Sequence, residues 1–178
     1  MNQFDFGAVR WGLVLSLLTL FMGVYLGIHF GRDEDNIKKY LKEKATASAV
    51  FKGDEKEIAA GAKNGWKYLK RSHEHFQGLG AISIGLILLL SATWLKPIIK
   101  ILVSIGTGLG AFIYPLFWYM TAYNAADMGK HAAKESLALM AQFGAGIYGL
   151  SFLVTFGAVL SYAIWRENLP GFLDSLKE

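Results

Sequence analysis

Four stretches of the chain are almost free of charge: residues 11–30, 76–95, 101–122 and 137–165. The hydrocarbon core of a bilayer is about 30 Å thick and takes about 20 helical residues to cross. All four stretches are that long. The pattern predicts a single all-α membrane domain over 1–178, built as a four-transmembrane-helix bundle.

Between the first two apolar stretches, residues 32–75 are polar but patterned. Asp33 or Asp35 can cap a helix carrying Ile37, Tyr40 and Leu41 at i, i+3, i+4 spacing. The run ATASAVFKGDE interrupts it, with Gly53 as breaker and Asp54 as the next cap. From there Ile58, Ala62, Trp66 and Leu69 recur at helical spacing. This predicts amphipathic helices lying in the headgroup region or covering the end of the bundle. The segment TWLKPIIK leaves only a tight turn between spans two and three, because Pro97 forbids a continuous helix. Before span four, YNAADMGKHAAKES predicts a helical extension running directly into it.

Small residues predict how the spans pack. Gly23 and Gly27 form a GxxxG pair, as do Gly106 and Gly110, while Ala81 with Gly85 and Ala145 with Gly149 repeat the theme. Such pairs let helix backbones approach closely in lipid. The run GTGLGA at 106–111 follows no strand, so it is packing and not a nucleotide loop. Alternation of spans puts Trp11, Trp94 and Trp165 at one interface, and Trp118, Tyr119 and Tyr123 at the other, as aromatic belts require. Four spans with so much close-packing surface predict a homo-oligomer, or a place among other membrane subunits.

Composition narrows the chemistry. The chain is 53% hydrophobic and 18% charged, against about a quarter charged in ordinary soluble domains. It has no cysteine, which excludes disulfides, iron–sulfur clusters, thiolate zinc and CxxCH haem attachment. The net charge of +4 comes with lysines beside the spans, which points to anionic headgroups and not to nucleic acid. The N-terminal stretch ends in GIHFGRDED without a small-x-small cleavage pattern, so it reads as a retained first span. An integral membrane protein results, with a bacterial inner membrane as the expected compartment. Most of the 18 Lys and Arg residues lie on the face with segments 31–75 and 121–136, which positive-inside counting favours as cytoplasmic.

That same face collects all four histidines. His29 ends span one, His73 and His75 precede span two, and His131 precedes span four. Asp127, His131 and Glu135 stand at i, i+4 and i+8, which on one helix gives one face able to hold a metal ion or orient a ligand. His73 and His75 point apart if 69–80 is helical, and converge if 71–75 is extended with Phe76 starting the span. The plain reading stands beside these: interfacial histidines are comfortable without any ligand.

The octapeptide HEHFQGLG resembles the HxHxxxLG helix start of some small bacterial membrane proteins, and more loosely helices of the haem–copper oxidase type. The matching residues are His73, His75, Leu79 and Gly80. The resemblance implies a haem or metal role. A bundle can hold haem b between axial histidines on facing helices. His29 with His73 or His75 is the natural pair, with His131 as the other partner, and Gly27, Gly78 and Gly80 leave room for the macrocycle. A zinc, copper or iron ion held by His73, His75, His131, Asp127 and Glu135 is the competing cofactor.

No acidic, basic or imidazole group falls near the middle of a span, where transporters and proton pumps carry them. Ser72 beside His73 lacks an orienting group, so hydrolysis is not indicated. The expected function is therefore electron transfer by a small haem- or metal-binding membrane protein, in a respiratory or photosynthetic complex, and not a stand-alone enzyme. The other reading is a non-catalytic structural or assembly subunit without a cofactor.

Overall fold

The computed structural model describes residues 5–165 as five helices: α1 (Phe6–Ala47), α2 (Glu55–Ser91), α3 (Pro97–Met128), α4 (Lys130–Glu135) and α5 (Ala138–Trp165). Four of them are long and apolar enough to cross a membrane. The side chain of Trp165, expected in an aromatic belt, lies outside the described residues.

Local chemistry sets the boundaries. The Asp5 carboxylate accepts from Ala8 N–H at 3.1 Å and starts α1. Asp54 caps α2 as expected, accepting from Lys56 and Glu57 N–H at 2.8 and 3.2 Å, with Glu55 and Glu57 in the positive first turn. Pro97 opens α3, where its missing N–H costs nothing. Lys100, buried, donates from Nζ to the Ser91 carbonyl at 2.9 Å and closes the α2–α3 turn.

Residues 32–75 follow expectation only in part. Two helical pieces of α1 meet across a kink at Asp33, where φ −123° and ψ 20° leave the helical region, so a new piece starts where the sequence places a cap and runs to Ala47. The second polar helix is not separate: α2 begins at Glu55, far ahead of its apolar part. The polar helix survives because pairs one turn apart support it, His29–Asp33 at 3.2 Å and Lys39–Glu43 at 3.9 Å among them. Its inner face is also fully covered: Leu41 and Ala45 are buried, the latter with Phe51 and Ile58. Two helical arms thus extend from the apolar parts of α1 and α2 as a hairpin.

The four long helices do not share one seam. Helices α1, α2 and α3 each pack against the other two, whereas α5 rests on α3 and touches α2 only slightly. Accordingly the apolar window of α3 is 56% buried and that of α5 only 17%.

Glycines close these seams. A Cβ at Gly23 would stand 2.7 Å from the Gln77 nitrogen, and one at Gly110 would stand 2.7 Å from the Tyr148 nitrogen. Gly23 and Gly110 thus belong to the α1–α2 and α3–α5 contacts respectively. Gly85 and Gly149 face open space instead.

Candidate functional site

The four histidines can now be placed. Residues 71–75 are helical within α2, so His73 and His75 lie about 200° apart around its axis. His73 continues the Ile58–Ala62–Trp66–Leu69 stripe toward α1. Its Nδ1 lies 2.8 Å from the Gly23 carbonyl, and its ring meets Phe30 edge-on at 6.0 Å. A carbonyl only accepts, so Nδ1 carries the proton. His75 turns to α3, 5.2 Å from the Tyr114 ring and stacked 6.5 Å from Trp118.

His29 leaves the seam that His73 occupies. It is two positions from Gly27, which His73 covers, and so points about 200° away. Its Nδ1 pairs instead with Asp33 at 3.2 Å, and its ring stacks on Tyr25. His131 is exposed, lining an open cleft of about 740 Å³ with Lys52, Asn64 and Lys130.

The expected Asp127–His131–Glu135 face does not form. Gly129 ends α3 with φ 81° and ψ 165°, a conformation suited to glycine alone, and starts the axis of α4 afresh. Asp127 remains on α3, where its carboxylate pairs with Lys44 at 3.7 Å and its carbonyl accepts from the Ser48 hydroxyl. His131 and Glu135 are on α4, both exposed.

These positions decide how the residues fit a cofactor. The expected opposition of His29 and His73 across the bundle is absent, since the His73 ring of α2 fills the α1–α2 seam at Gly27 while the His29 ring leaves α1 on another side. Gly27 leaves no slot for a macrocycle, because a Cβ there would stand 2.7 Å from the His73 ring itself. Gly80 is closed by the Leu20 backbone, and Gly78 faces open space. The arrangement does not fit a haem between paired histidines. Among the described residues, no three His, Asp or Glu side chains gather as metal ligands.

The sequence reading missed a different cluster. Tyr68 and Trp118 are buried side by side, with ring centres 5.3 Å apart, and both Arg71 and Lys134 lie against them. Only the one-turn spacing of Tyr68, Arg71 and His75 hinted at it. Trp118 and Lys134 come from distant segments, and no local pattern reports that meeting.

No protein-family model matches the chain, and neither a curated protein nor a solved structure matches it. The likeness of HEHFQGLG to haem-type helix starts therefore stays confined to those eight residues.

Proposed function

We propose that the protein is a non-catalytic structural or assembly subunit of a membrane complex, an integral membrane protein working through helix–helix association. One observation carries this reading: two of the four small-residue pairs face outward. Among the described residues, Ala81 and Gly85 on α2 and Ala145 on α5 are exposed, and a Cβ at Gly149 on α5 would meet nothing within 4 Å. Gln142, exposed one turn before Ala145, adds a polar group to the same face of α5. In lipid, small residues permit close approach and an amide side chain gains a partner by crossing to another helix.

The test is the mass of the full chain in mild detergent. Light scattering should give a species well above the 19.6 kDa of one chain, or a copurifying membrane subunit. Replacing Gly85 and Gly149 by Leu should shift it toward the single chain. A stable monomer without any partner counts against the reading.

A cofactor-binding reading draws on His73 alone. With Nδ1–H held by the Gly23 carbonyl, its Nε2 carries a lone pair, but that atom lies against Gly27 in the α1–α2 seam, so a haem b iron or a metal ion reaches it only where the two helices part. That version makes the protein an electron-transfer subunit of a respiratory or photosynthetic complex. Reduced-minus-oxidised α bands in the purified protein, lost in His73→Ala, support it. A featureless spectrum with no metal by elemental analysis removes it.

A further inference from the structure

Arg71 and Lys134 converge on one pair of rings at the level where α2 changes from charged to apolar. The Arg71 Cζ lies 4.5 Å from the Trp118 ring centre and 6.0 Å from that of Tyr68. The Lys134 Nζ lies 5.7 and 5.5 Å from the same two centres. A ring face attracts a cation but does not neutralise it, so two positive charges on one aromatic pair still repel. Lys38, Lys39 and Lys44 each have a carboxylate partner; among the described residues Arg71 and Lys134 have none. Glu74 and Glu135 are close in sequence, yet neither pairs with them. Trp118 itself is 8% exposed, and its indole N–H, buried with the ring, finds no acceptor among the described residues.

We infer that this corner binds the phosphate of an anionic phospholipid. The guanidinium fork can grip two phosphate oxygens while the ammonium supplies a point charge from α4. The anion removes the repulsion that the aromatic pair leaves in place. Below this level α2 and α5 expose apolar side chains such as Ile82 and Phe143, which give acyl chains a matching surface. Polarity thus changes in the order that a phospholipid requires. The inference rests on the membrane placement of the helices and not on their association, so either can fail without the other.

Native mass spectrometry of the detergent-solubilised full chain tests it, titrating phosphatidylglycerol, phosphatidylcholine and inorganic phosphate. Phosphatidylglycerol should bind in preference to phosphatidylcholine, and R71Q/K134Q should weaken it on the order of tenfold. K63Q/K67Q removes the same charge from exposed positions of α2 and should leave binding unchanged. Equal weakening in both variants, or in neither, overturns the site. Displacement of the lipid by equimolar inorganic phosphate overturns the lipid as the source and assigns the site to a soluble anion. Should R71Q/K134Q fail to fold, K134Q at its exposed position and the charge-keeping K134R decide: loss in the first with retention in the second supports the site, and any other pattern overturns it.

Discussion

Gly80 on α2 lies so close to Leu20 on α1 that a Cβ at position 80 would stand 2.7 Å from the Leu20 nitrogen. The atom it would strike is backbone, which cannot swing aside. Gly80→Ala should therefore push the helices apart and lower stability by about 1–3 kcal/mol, the usual cost of overpacking. Gly78, half a turn away, meets nothing within 4 Å. Its replacement by Ala should leave the thermal midpoint of the detergent-solubilised chain unchanged or slightly raised. Equal losses at both positions would contradict the close α1–α2 contact.

His73 and His29 should separate just as cleanly. His73→Ala removes a half-buried ring from Gly27 and Phe30, and deletes the bond to the Gly23 carbonyl. A loss of about 1–3 kcal/mol is expected from the bond and the void together. The His29–Asp33 pair is about half exposed on both sides, 45% each, so His29→Ala should cost no more than about 1 kcal/mol. Thermal unfolding followed by circular dichroism measures both.

Gly129→Ala should be costly despite alanine's helix preference. Residue 129 has φ 81° and ψ 165°, where a side chain adds strain of about 1–3 kcal/mol. Relief by extending α3 would swing α4 off its seat, where Ala133 is buried. Limited proteolysis between 125 and 140 should accelerate in the variant, and unchanged cleavage would show that the break is unimportant.

Lys100→Met probes the far end of the bundle. The Ser91 carbonyl would keep Asp5 N–H at 3.2 Å but lose the ammonium. A charge-assisted bond contributes about 1.5–3 kcal/mol, partly offset by no longer burying the charge, so a net loss of about 1 kcal/mol is expected. The same thermal measurement reads it, and an unaltered midpoint would mean the bond contributes nothing.

The four apolar helices were legible because hydrophobic runs of that length have few alternatives, and the Asp54 cap and Pro97 turn because their chemistry is local. The direct junction of the two pieces of α1 was not. Asp33 does break the helix, but burial of Leu41 and Ala45 against a second helix carries the chain straight on beyond the kink, and the second helix is not written beside them. Gly129 misled in the opposite sense. Alanines on both sides read as one helix, and a glycine's sign of φ is set by tertiary contact and not by its neighbours. For the histidines, the chain pattern placed all four toward one end of the helices but gave no direction, because direction depends on which helix each ring meets.

The uninterrupted polar part of α1 has a consequence for range. From Asp33 to Ala47 the helix advances roughly 20 Å at 1.5 Å per residue. Salt at physiological strength screens charges over about 8 Å. On the membrane placement proposed above, a hairpin held upright would carry Lys52 and Lys56 at its tip more than two screening lengths from the headgroups, while Lys70 and Arg71 stay within one. The basic residues then form a graded series, from Lys70 and Arg71, which sense the charge of the lipid, to Lys52 and Lys56, which answer to what arrives from the aqueous side.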